Sequence, residues 1–142
     1  MKTPAIKTPA LVGDNLLRVA LGIMFIAHSV VLKYLTFTLA GTAQYFVSIG
    51  LPAFLAYVVF ALEAVGGVLL VLGIRTRWVA LGLIPVLLGA TWVHLGNGWV
   101  FNAPNGGWEY PVFLIVISLV VAAQAEKWGH SSFRRNRTAI AQ

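Results

Sequence analysis

"LPAFLAYVVFALEAVGGVLLVL", residues 51–72, holds a single charged side chain, Glu63, and no polar stripe that could face water. An amphipathic helix of a water-soluble domain would show polar residues on every turn of one face, and this stretch does not. At about 1.5 Å per residue it reaches about 33 Å as a helix, enough to cross a hydrocarbon core of about 30 Å. Backbone groups in lipid must find partners within the segment, so the stretch has to be helical.

Working outward, three further apolar blocks occupy residues 16–35, 78–95 and 110–125. Only 10% of the 142 residues are charged against 59% hydrophobic, with a mean hydropathy of +0.86. That is too little charge to cover a domain of this size in water. The sequence therefore predicts an all-α integral membrane protein, a four-helix transmembrane bundle formed as one domain over residues 1–142. Its helices are expected at about 14–36, 52–73, 77–96 and 109–128. The first block follows Lys2 and Lys7 as a signal peptide would. It is longer than a signal peptide's apolar core and meets Lys33 and Tyr34 without a small-residue cleavage site, so it is expected to stay as the first helix.

Short turns separate the blocks. In "SIGLP" (48–52), Pro52 stands at a helix start, where its missing N–H does no harm. In "LGIRTRW" (72–78), Gly73 closes a helix. Lys2, Lys7, Arg18, Arg75, Arg77, Lys127, Arg134, Arg135 and Arg137 all fall on one side of a four-pass layout, and Lys33 alone on the other. Positive charge marks the cytoplasmic side, which puts both termini in the cytoplasm. The expected location is the bacterial cytoplasmic (inner) membrane. The net charge of +6 then needs no nucleic acid to explain it, since topology and attraction to anionic lipid suffice.

The outer connection, "WVHLGNGWVFNAPNGGWEYP" (92–111), has no lysine or arginine but gathers His94, Glu109 and three asparagines. Trp92, Trp99, Trp108 and Tyr110 read as an aromatic belt at that surface, with Trp78 and Trp128 at the other. There is no cysteine, so thiol–disulfide relay, iron–sulfur ligation, zinc-thiolate sites and covalent c-type haem are excluded. No glycine-rich nucleotide loop is present either.

Five ionisable residues lie at membrane depth or its edge: Arg18, His28, Glu63, His94 and Glu109. Such groups are costly in lipid and usually face the bundle interior. Helical rise places His28, Glu63, His94 and Glu109, one on each helix, in the middle or outer half. The expectation is a polar cavity opening outward beneath the polar loop. Arg18 has two readings, a pair with Asp14 one turn before it or a reach toward Glu63. Gly66, Gly67 and Gly73, and the stripe Gly82, Pro85, Gly89, Trp92 and Gly96, read as close helix packing.

"LLRVALGIMFIAHSVVLK" (16–33), "ALEAVGGVLLVLGIRTRW" (61–78), "GATWVHLGNGW" (89–99) and "NGGWEYP" (105–111) resemble, in order, the landmarks of the DoxX family of small four-helix membrane proteins. The resemblance runs over roughly residues 16–128, and the family's Arg, His, Glu, His and Glu fall on Arg18, His28, Glu63, His94 and Glu109. The chain departs from the family at Ser29, where a glycine is frequent, and at "WGHSSF" (128–133), where the family has a different glycine-rich end. The resemblance implies a membrane subunit of a quinone-linked oxidoreductase. A quinone headgroup needs hydrogen bonds at two carbonyls and two protons on reduction, which histidine and a buried glutamate can handle. His28, Glu63 and His94 are accordingly the candidate catalytic residues. Arg18, Trp92, Glu109 and Tyr110 are the candidate ligand-binding ones. The chain lacks an electron carrier of its own, so a redox protein partner is expected beside the lipid bilayer, in a homo- or hetero-oligomer. Alternatives stay open: a non-catalytic anchor or assembly partner, b-type haem between His28 and His94, or a divalent metal among His28, Glu63, His94 and Glu109.

Overall fold

The computed structural model describes the backbone of residues 9–140 and the side chains of residues 12–125. Helix α1, Pro9–Ile26, runs without a break into a π-helical segment, Ala27–Thr36. A short α2, Leu39–Ser48, follows, then α3, Phe54–Leu72, and α4, Thr76–His94. A single 3-10 turn, Leu95–Asn97, leads into the outer loop, and α5 covers Glu109–Ile140. No strand occurs among the described residues.

Three stretches are long and apolar enough to cross a membrane: Val12–Thr36, Phe54–Leu72 and Thr76–Asn97. In α5 the apolar part is the shorter Glu109–Ala125. Within these three spans only 17–28% of the most apolar window is buried inside the chain. Leucine, valine and phenylalanine side chains instead cover the outside, Leu16, Val65, Leu88 and Phe113 among them. An apolar exterior of this extent is stable in lipid and not in water. This is a multi-pass membrane protein.

Successive long helices alternate in direction. Arg18 of α1, Gly73 beyond α3, Arg75 and Arg77 at the start of α4, and Val121 to Ala125 of α5 line one cleft, so these ends meet. Helices α1 and α3 cross at a reciprocal glycine contact. A Cβ on Gly22 would stand 2.7 Å from the Gly67 carbonyl oxygen, and one on Gly67 would stand 2.8 Å from that of Gly22. Gly66 receives the Leu83 side chain of α4. Leu21, Phe25, Leu70, Leu83, Leu87, Leu114 and Val121 fill the remaining core. The close packing expected of the α3 glycines is thus present at Gly66 and Gly67. On α4 and the 3-10 turn after it, it is not, because Gly82 and Gly89 of the helix and Gly96 of the turn have nothing within 4 Å of a Cβ position.

Two boundaries differ from those predicted. Residues 39–48, read as connection, form α2, whose Thr42 and Ala43 are buried. Ten residues broken by Gly41, Thr42 and Gln44 are too short to cross a membrane, so a hydropathy reading passes over them. The last helix also continues past residue 128 to Ile140. The side chains of "FRRNR" (133–137) and Lys127, and all of Lys2 and Lys7, lie outside the described residues.

Candidate functional site

The site begins with a change of helical register. From Ala27 the backbone pairs i→i+5 instead of i→i+4, a departure that recurs at functional sites. Side chains around the switch satisfy the carbonyls near it. Ser29, fully buried, donates to the carbonyls of Phe25 (2.8 Å) and Ile26 (3.1 Å). His28 Nδ1 donates to Met24 (2.9 Å) and Thr36 to Val31 (2.8 Å). Ser29, where the resemblance led one to expect glycine, is therefore part of the transition.

The new register brings Lys33 under His28. Lys33 Nζ donates to the Glu63 carboxylate, 2.6 Å from Oε2, and lies 3.4 Å from the His28 carbonyl oxygen. Glu63 is buried at the centre of α3, nine residues from Phe54 and nine from Leu72. An unpaired carboxylate there would be several kcal/mol unfavourable, and the ammonium is what makes it tenable. Sequence reasoning placed Glu63 at the right depth but missed Lys33, which it read as a lone outer flanking charge. The signal that could have found it was the need of a mid-membrane carboxylate for a cation.

On the other side of His28, the Tyr110 ring of α5 stacks at 5.5 Å between centroids with an interplanar angle of 25°. The Tyr110 hydroxyl is buried and has no hydrogen-bond partner. His28 also lies within electrostatic reach of Glu63. Because Nδ1 faces a carbonyl, which only accepts, it carries the hydrogen and leaves Nε2 of the neutral ring as an acceptor. The assembled group is therefore Lys33, Glu63, His28 and Tyr110.

His94 belongs to a second, looped arrangement. Its Nδ1 donates to the Ala90 carbonyl (2.6 Å), and its ring edge packs against Gly106. Asn97 donates to the carbonyls of Asn105 (3.1 Å) and Gly106 (2.9 Å). Glu109 accepts from the Phe101 N–H (2.7 Å) while its own N–H reaches Trp99 (3.0 Å). Trp99 and Trp108 meet edge to face at 4.3 Å. Gly107 permits the closure, since a Cβ there would overlap the Val100 carbonyl. Glu109 thus orders the loop. Trp92 is exposed and turned outward, away from this group.

Arg18 does something neither reading foresaw. Its guanidinium donates to the carbonyls of Leu70 and Val71 (2.8 Å to the latter) and to Asn15 (3.2 Å). These are last-turn carbonyls of α3, at the negative end of the helix dipole, and that of Leu70 also accepts from the Gly73 N–H (3.2 Å). Arg18 caps α3, about seven residues below Glu63, and pairs with neither Asp14 nor Glu63.

Two clefts lie away from the His28 group. One, about 470 Å³, is an apolar groove between α3 and α4 lined by Val58, Leu62, Gly82 and Leu83 among others. The other, about 380 Å³, is the arginine-lined cleft at the opposite end from the loop. Among the described residues no three of His, Asp and Glu converge as metal ligands.

Comparison with known proteins agrees with the landmarks. The "DoxX" family model matches residues 13–96, from the start of the first span to the end of α4. A Bacillus subtilis (strain 168) protein named "Putative oxidoreductase CatD" is 46% identical over 118 residues, covering 82% of this chain and 82% of that protein. No solved structure matches the chain. The Arg18, His28, Glu63 and His94 landmarks all fall within the matched span, and the chain belongs to the DoxX family.

Proposed function

We propose that this protein is the membrane subunit of an oxidoreductase system of the bacterial cytoplasmic membrane, and that it binds or reacts with quinone at the His28 group. The observation that carries this is the Tyr110 hydroxyl, buried without a partner beside His28. A buried hydroxyl left unpaired costs about 1–3 kcal/mol, and a carbonyl oxygen placed there would receive its hydrogen. The residue set therefore fits a quinone headgroup. When bound, a quinone supplies two-electron, two-proton chemistry. In this reading Tyr110 orients a carbonyl, while His28 Nε2 accepts or returns a proton in contact with it. Glu63 holds the second proton, with Lys33 setting its charge. His94 and Glu109 keep the outer loop closed over that half of the bundle. Electrons come from a redox protein docked on the loop or on the basic face.

The test is Glu63→Gln, which keeps the shape but cannot ionise. Quinone-linked activity of membranes carrying the intact system should fall about tenfold or more, with protein level unchanged. A second reading, a non-catalytic anchor for a redox complex, draws on the direct Lys33–Glu63 pair, which already satisfies the carboxylate from within the chain. Full activity in Glu63→Gln decides for the anchor.

A further inference from the structure

Polar side chains are spread unevenly along the bundle. Between Arg18 and His28, residues 19–27 of the first span hold none, and neither do residues 64–72 of α3 or 79–90 of α4. In α5, residues 112–123 hold one, Ser118, whose buried hydroxyl donates to the Leu114 carbonyl of its own helix (2.8 Å). Leu21, Phe25 and Leu70 fill the space between helices at this level, each 2% exposed or less. The α1–α3 crossing has no room for one methyl group more, since a Cβ on Gly67 would also stand 3.0 Å from the Ile26 nitrogen. From Glu63 to Leu70, where Arg18 docks, this plug is about 10 Å deep. A proton or ion on that path meets no side chain to hold it.

Toward the loop the order is reversed. Lys33 lies three residues before the end of the first span at Thr36, where a lysine stem can carry its ammonium to the polar surface. Its side chain keeps 18% exposure against 8% for Glu63, so the pair opens at its lysine end. Helix α2 sits at this end, with the Thr42 hydroxyl 3.3 Å from the Lys33 carbonyl oxygen. The charged and titratable groups facing Glu63 are Lys33 and His28 of the first span, with Tyr110 of α5 stacked beyond His28. Helix α2 carries no Asp, Glu, Lys, Arg or His, and its Tyr45 is exposed. In α4, Arg77 and His94 stand at opposite ends of the helix.

We infer that the Lys33–Glu63 pair is a proton-exchange site open to water on the loop side, past Lys33, and insulated from the arginine side by the Gly22–Gly67 crossing. A proton arriving from the loop side adds to the Glu63 carboxylate, Lys33 keeps its own hydrogens, and the proton leaves by the way it came. With a quinone at the His28 group, the protons its headgroup takes or gives are then exchanged with the loop side alone. That consequence rests on the function proposed above, whereas the one-sided route does not.

The test exploits the absence of cysteine from the chain, which makes any introduced thiol unique. Glu63→Cys/Lys33→Gln and Lys33→Cys/Glu63→Gln each place one thiol on the route and leave no charge of the pair stranded. Asn102→Cys in the exposed loop and Ile74→Cys in the exposed α3–α4 turn mark the two sides. A charged, membrane-impermeant methanethiosulfonate is applied to spheroplasts and to inverted membrane vesicles, and modification of the full-length protein is followed over time. The thiols at positions 33 and 63 should react from the side that modifies Asn102→Cys, about tenfold or more faster than from the side that modifies Ile74→Cys. Reaction at position 63 from the Ile74 side at a similar rate overturns the inference, as does no reaction there from either side. Reaction at position 63 without reaction at position 33 overturns the route past Lys33, and labelling of both markers from one side overturns the two-sided layout beneath it. None of these outcomes involves quinone, so a failed route and a failed quinone assignment are told apart.

Discussion

Lys33 and Glu63 are thirty residues apart in sequence and 2.6 Å apart across the α1–α3 interface. Their side chains are 18% and 8% exposed, so the pair is largely shielded even from lipid headgroups and water. Replacing Lys33 by Met strands the carboxylate and should destabilise the protein by about 3–5 kcal/mol. The double variant Lys33→Met/Glu63→Gln should recover most of that loss. Thermal unfolding in detergent across the double-mutant cycle checks this, and an additive cycle would show that the two charges do not depend on one another.

Tyr110 gives a prediction in which stability and function move in opposite directions. Its hydroxyl is buried without a partner, so Tyr110→Phe removes an unsatisfied group and should raise stability by about 1 kcal/mol. If the hydroxyl receives a quinone carbonyl, the same variant should retain less quinone on purification. Lipid extraction and quantification of co-purified quinone, next to the melting curve, separates the two effects. Equal quinone content in wild type and variant would count against Tyr110 as a ligand.

The glycines of α3 and α4 should respond very differently to substitution. Gly67→Val forces a side chain into the Gly22 carbonyl and Ile26, and should cost about 1–3 kcal/mol or more. Gly82→Ala and Gly89→Ala meet nothing within 4 Å and should stay within about 0.5 kcal/mol of wild type. Melting temperatures of the three variants in one detergent decide the matter. A large loss at Gly82 or Gly89 would mean that another molecule packs on that face.

Arg18 should matter through geometry as well as charge. Arg18→Lys keeps the positive charge but lacks the planar fork that donates through one nitrogen to the Leu70 and Val71 carbonyls and through the other to Asn15. A loss of about 1–3 kcal/mol is expected, with hydrogen exchange rising first in the last turn of α3. Uniform change over the whole chain would speak against a local cap.

Orientation is testable with reporters. A fusion after Gln142 should behave as cytoplasmic and an insertion near Asn102 as external, following the placement of Arg18, Arg75 and Arg77 at one end. The reverse pattern would move the His28 group to the cytoplasmic half of the membrane.

Hydropathy and length alone determined that residues 12–36, 54–72 and 76–97 are long and apolar enough to cross a membrane, and that they do so as helices, because lipid leaves the backbone no other way to pair. They also put Glu63 at mid-helix and gathered the arginines near the turn after Gly73, since rise per residue is fixed. Partners were a different matter. A regular α-helix would turn Lys33 about 140° away from His28, and only the π register sets it beneath that residue and against Glu63. Arg18 meets carbonyls 52 and 53 positions away, at an α3 terminus whose location depends on how α1 and α3 cross. The divergence of His94 from His28 has the same origin. Both lie at similar depth by residue count, but each ring bonds its own helix, and one is claimed by Tyr110, the other by the loop at Gly106. Depth is a one-dimensional property that the chain carries with it, whereas the facing of a side chain depends on helix register and crossing, which packing decides.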